Sequence, residues 1–177
     1  MINGLEALAK TIITGNLILV QGLGLYALIR HTHDVKEALR SGGTTFVGML
    51  LGGALLWLLG GITFASLSAQ IGYYLLVGAV ASVLAHSVLK QGGCLQDRLA
   101  DSALVGLLLL LGGAGVSGPG NVSAAFAGGL GYCFILVIMA TLRQRLELAP
   151  IPRSLRGVPI LLITAGLLGI ALLGFRF

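Results

Sequence analysis

The residues of this chain best placed for chemistry lie between Thr14 and Arg30, in the run TGNLILVQGLGLYALIR. Ile12 to Ile29 carries no charge, roughly the length needed to cross about 30 Å of hydrocarbon. Within it stand Gly15, Asn16, Gln21 and the Gly22-Leu23-Gly24 triplet, with Tyr26 just beyond. Glycine weakens a helix by about 1 kcal/mol per residue, and Asn or Gln in lipid needs an internal partner. A span serving only as an anchor has no use for such residues. A helix that breaks inside the membrane and lines a site does. The chemistry this allows is the holding of an ion by backbone carbonyls freed at the glycines, by Asn16 or Gln21, or by a partner.

Other groups offer less. His31-Thr32-His33-Asp34 has two metal-ligating imidazoles, but no third ligand is clustered with them, so it reads as a solvated loop. His86 lies one helical turn before Lys90 and reads as an interfacial histidine. Asp101, with Arg98 just before it, reads as an acid at a helix N-terminus. Cys94 and Cys133 fall at different depths, in a loop and in a span, and no CxxC motif exists for zinc or a redox dithiol. Asn121-Val122-Ser123 matches a glycosylation acceptor but sits in a very short loop. Gly112 to Gly120 lacks the Gly-Lys-Ser/Thr ending of a phosphate loop. No charged side chain lies at mid-span, and no nucleophile stands beside a base. The chain alone therefore offers neither a carboxylate relay nor an enzyme's active site.

The elements that must position these residues follow from composition. Of 177 residues, 56% are hydrophobic and 10% charged, with a mean hydropathy of +1.00. A soluble domain carries about 25% charged residues, so this is an integral membrane protein whose solvent is the lipid bilayer. It is expected to form one domain over residues 1–177. The net charge of +5 is spread over short loops and is no nucleic-acid signature. No signal-peptide cleavage pattern is evident, so the first span is expected to be retained.

Apolar runs at about 11–30, 41–66, 69–89, 102–118, 121–142 and 157–175 predict six transmembrane helices. Turns are expected at Ser66 to Gln70 and at Ser117-Gly118-Pro119-Gly120-Asn121. The first, third and fifth loops carry nine of the eleven Lys and Arg, from Arg30, Lys36 and Arg40 to Arg143, Arg145, Arg153 and Arg156. The positive-inside rule places those loops in the cytoplasm and both termini on the other side.

The chain also looks doubled, with repeat one at about 1–91 and repeat two at about 92–177. Three spans per half give the halves opposite topology. Each half opens with a Gly-interrupted helix, by Gly22 and Gly24 in the first and by Gly112, Gly113 and Gly115 in the fourth. Such segments at matching places of inverted halves point to a midplane site. Ser102 to Val116 makes only about 22 Å of helix, short for a crossing. The plainer reading is that the glycines, among 28 in the chain, let helices pack closely.

Several ordered runs carry a family resemblance. Gly15 to Val20 followed by Leu23-Gly24-Leu25-Tyr26 resembles the first helix of the Rnf/Nqr integral-membrane subunits of the RnfA/NqrE type. Gly43-Thr44-Thr45-Phe46-Val47 resembles the start of that family's second helix. So do Leu142 to Leu146, Pro152 to Gly157 and Leu162 to Leu167 for its last loop and helix. The resemblance implies six helices in inverted halves and a place in the cytoplasmic (inner) membrane of a prokaryote. It implies a complex that couples electron transfer to Na⁺ or H⁺ translocation, with flavin and iron–sulfur clusters on partner subunits. It also implies a second subunit of the same fold, the two sharing an intramembrane [2Fe–2S] cluster to which each gives two cysteines.

The chain departs from that pattern where the cluster would be held. Tyr26 and Ala27 stand where the family has Cys-Pro, and Leu109 to Gly113 covers the second cysteine's position. Clusters of this kind are held by thiolates. The expectation is therefore a subunit that binds no cofactor by itself and supplies neither catalytic residue nor metal ligand. Alternatives from other classes are a small inverted-repeat transporter or channel, and a structural or assembly subunit.

Overall fold

Apolar stretches with no internal proline must satisfy their own backbone in lipid, and the helix is the local way to do so. The structure is a computed structural model describing residues 18–59, 67–88, 102–113, 120–150, 152 and 155–174. Six helices run through those residues, in the order α1 Leu25–His31, α2 Val35–Leu58, α3 Leu67–Val88, α4 Ser102–Gly113, α5 Gly120–Glu147 and α6 Val158–Leu173. There is no strand among the described residues. By length and composition α2, α3 and α5 can each cross a membrane, and α6 is a shorter apolar helix. The chain is an integral membrane protein.

Helix ends differ from the apolar runs for a physical reason. α2 starts at Val35, six residues ahead of the uncharged stretch, and includes Lys36, Glu37 and Arg40. A helix need not stop where lipid stops, because water at the interface solvates the charged side chains. The Asp34 carbonyl accepts from Ala38 N at 2.9 Å, and Glu37 in the first turn suits the positive helix end. α5 likewise runs past Leu142 to Glu147. The turn expected at Ser66 to Gln70 is already helical from Leu67, and Gly120 and Asn121 open α5 instead of turning. Ser66 and residues 117–119 lie outside the described residues. α6 follows Gly157 at φ 97° and tolerates Pro159 in its first turn, where no intrahelical donor is needed.

The chain forms two compact units. One comprises Met1–Gly42 and Leu130–Phe177. There Leu28, Ile135, Leu136, Met139, Leu161 and Ala165 are buried. Gly169 of α6 comes so close to the first segment that a Cβ on it would lie 3.2 Å from the Leu19 carbonyl. Gly42 leaves room for the Cys133 sulfur, which would stand 3.1 Å from a Cβ there.

The other unit is Gly43–Gly129. α4 seats Leu104 and Leu108 against Gly48 and Gly52 of α2 and against Gly78 of α3. Gly53 of α2 abuts Ala125 and the Asn121 carbonyl of α5, and Gly129 abuts the Phe46 ring. Apolar side chains gain nothing by leaving lipid for one another, so close backbone approach through small residues is what associates such helices. On α3, Ile71, Leu75, Leu76, Val80 and Leu84 remain exposed, as suits a lipid-facing flank.

Candidate functional site

The stretch around Gly22-Leu23-Gly24 is not helical. Ile18 to Gly24 is a series of turns, with Gly22 at φ 70° and Gly24 at φ 87°, and α1 begins only at Leu25. Left-handed backbone is costly for any residue with a Cβ, so glycine at both positions is what lets the chain turn here. Gly22 N still reaches Ile18 O at 3.1 Å, and Leu28 N reaches Gly24 O at 3.1 Å. Gln21 and Gly22 are exposed and Gly24 is buried. Gly15 and Asn16 lie outside the described residues.

Tyr26 projects from the first turn of α1 and is 54% exposed. Its hydroxyl accepts from Arg30 Nη1, and the guanidinium carbon lies 5.8 Å from its ring centroid. A phenol one helical turn from a cation is thus displayed on the surface of this chain. In the other unit, α4 carries Gly112 and Gly113 in its last turn, while Gly115 is outside the described residues. Leu111 is buried and Leu110 is partly exposed.

The histidine loop splits between two partners. His31 Nδ1 meets Glu37 Oε1 at 3.0 Å, whereas His33 Nε2 lies 2.8 Å from Arg143 Nη2. No group of three potential metal ligands occurs among the described residues. His86 Nδ1 bonds the Ser82 carbonyl of its own helix at 3.0 Å. Cys94 and Asp101 are outside the described residues, and Cys133 is half-buried against Gly42.

Three features were not legible as functional in the sequence. Arg143 looked like one loop cation among several, yet it bonds Ile29 O at 3.0 Å and Thr32 Oγ1 at 3.1 Å. Ser82 Oγ and Asn121 Oδ1 are buried with no hydrogen-bond partner among the described residues. Phe46 and Phe126 meet edge to face, 5.7 Å apart at 62°. A contact across so many intervening residues leaves no mark on local composition. The only hint was that Arg143 falls in a run resembling the family's.

An all-helical chain with three helices long and apolar enough to cross a membrane defines the class as a multispan membrane protein, and left-handed glycines precede its short helix α1. The chain is 31% identical over 188 residues to the A subunit of the ion-translocating oxidoreductase complex of Syntrophotalea carbinolica, covering 99% of this chain and 97% of that one. It is 33% identical to the corresponding subunit of Azoarcus sp., covering 97% and 95%, and 29% identical to that of Tolumonas auensis, covering 99% and 97%. No family model matches it. This chain belongs to the RnfA family of the Rnf/Nqr group, the A subunits of ion-translocating oxidoreductase complexes.

The donor set does not fit the cluster that the resemblance implies. A phenol, not a thiol, occupies position 26, and leucines and glycines occupy 109–113. The Cys133 sulfur instead fills the space beside Gly42.

Proposed function

We propose that this chain is a membrane subunit of an ion-translocating electron-transfer complex, and that it contributes no ligand to an iron–sulfur cluster. The observation that carries the reading is the near full-length similarity to RnfA-type proteins combined with Tyr26, not a thiol, on the exposed face of α1. Flavin and iron–sulfur carriers then belong to partner subunits, and electrons passing this chain use a carrier or subunit other than a cluster held here.

The inverted repeat is part of the proposal. If α1 corresponds to α4, α2 to α5 and α3 to α6, the two compact units exchange composition. One holds α1, α6, the start of α2 and the end of α5; the other holds α4, α3, the start of α5 and the end of α2. The Gly42–Cys133 contact of the first has its counterpart in Gly53 against Asn121 and Ala125 in the second. The edge-to-face contact of Phe46 of α2 with Phe126 of α5 lends support to pairing those two helices as equivalents in the repeats.

A protein partner is favoured by the first segment, and that partner is proposed to be a second subunit of the same fold. Irregular backbone with an exposed Gln21 cannot face hydrocarbon and needs protein cover. The loop charges support a cytoplasmic-membrane orientation with both termini on the non-cytoplasmic side. Any ion met by this chain would meet carbonyls at the glycine breaks, Asn16 or Gln21, or a partner's groups. The test is purification of the tagged chain from its native membrane in mild detergent. Co-purifying subunits that carry flavin or iron–sulfur are expected. A stable monomer that transports solute in liposomes would favour the transporter alternative.

A further inference from the structure

α1 is only seven residues long, and it starts from a left-handed Gly24 with no side-chain cap. Isolated helices shorter than about 12–15 residues are marginal even with good formers. Its place must therefore come from tertiary contacts. Leu28 and Thr32 are both fully buried, and the remaining anchor is polar. The last carbonyls of a helix have no intrahelical donor.

Here a side chain 111 to 114 residues away supplies one. Arg143 Nη1 donates to Ile29 O at 3.0 Å and to Thr32 Oγ1 at 3.1 Å, with its side chain only 15% exposed. Thr32 Oγ1 donates onward to Leu28 O, so two carbonyls of the last turn are satisfied through one guanidinium. Arg143 Nη2 reaches His33 Nε2 at 2.8 Å, which makes that nitrogen the acceptor, and Glu147 lies 3.8 Å from Arg143 Nε. A cation at a helix C-terminus also suits the macrodipole.

We infer that Arg143 is a positioning residue: from the end of α5 it clamps the last turn of α1, and so sets where residue 26 is presented. Tyr26 lies three residues before Ile29 in the same two-turn helix, so the turn that Arg143 holds carries it. The planar fork of arginine serves several acceptors at once, which the single ammonium of lysine does not. The inference rests on the geometry of one unit and goes beyond membership of a complex.

The test is hydrogen–deuterium exchange, read by mass spectrometry, on the native complex in lipid nanodiscs. Losing hydrogen bonds from a charged group is expected to speed exchange at amides 28–33 by roughly 10- to 100-fold in Arg143→Gln. Arg143→Lys should leave exchange raised, and Thr32→Val, close in shape, should raise it by a smaller factor. Protection in α3, which belongs to the other unit, should not change. Unchanged exchange in Arg143→Gln, full rescue by lysine, or an equal rise in α3 would each overturn the clamp. If Arg143→Gln does not accumulate, Thr32→Val decides, and unchanged exchange at residues 28–33 in that variant refutes it. Partner retention in the same samples reads complex membership separately.

Discussion

Gly53 and Gly43 lie on the same helix and should respond oppositely to one added methyl. At Gly53 an ideal Cβ falls 2.8 Å from Ala125 Cβ and 3.0 Å from the Asn121 carbonyl oxygen. Neither neighbour can rotate away, unlike the Phe46 ring at Gly129 or the Leu104 methyl at Gly48. Carbon atoms are comfortable at about 3.5–4 Å, so α2 and the first turn of α5 must part by roughly 0.7 Å or more. Overpacking of this kind costs about 1–3 kcal/mol, against a helix-propensity gain of about 0.5–1 kcal/mol from replacing glycine. Gly53→Ala is therefore net destabilising, by up to roughly 2.5 kcal/mol.

At Gly43 nothing among the described residues lies within 4 Å of the new methyl, and only the propensity gain remains. The two variants should differ by about 1–3 kcal/mol. At about 2–4 °C per kcal/mol for a chain of this size, that is a gap of roughly 2–12 °C in apparent Tm. The assay is a thermal melt of each variant in one detergent at one scan rate, with Gly43→Ala at or above the natural protein. Equal midpoints, or Gly53→Ala the more stable, would refute the packing argument.

Reporter fusions after Phe177 and within 34–41 should give opposite outcomes, the first non-cytoplasmic; a cytoplasmic C-terminus sinks both the topology and the inverted repeat. Replacing Cys94 and Cys133 together by serine should leave iron content and paramagnetic resonance of the purified complex unchanged, and loss of a cluster signal would show the ligands misplaced. Tyr26→Phe removes only an exposed hydroxyl bonded to Arg30, so Tm should move by the equivalent of about 0.5 kcal/mol or less. Tyr26→Cys should create no cluster, because leucines and glycines still occupy 109–113; new iron bound by that variant would contradict this.

Composition and order alone determined that this chain lives in a membrane. They also placed helices over most of the described length and singled out Gly22-Leu23-Gly24, where the structure has positive φ at both glycines. Those are local properties: hydropathy is summed over a window, and only glycine takes a left-handed turn freely. A phenol at position 26 is read directly from the sequence, and its standing in place of a family thiol remains part of the proposal. Tertiary structure decided the rest. It separated the glycines that turn the chain from Gly48, Gly52, Gly53 and Gly78, which are needed because another helix lies against them. It extended α2 back to Val35 through charges that looked like loop. It also picked Arg143 out of nine similar loop cations, because a guanidinium's role is set by the acceptors within 3 Å of it. Ile29 and Thr32 reach it only when a chain segment more than a hundred residues away folds back.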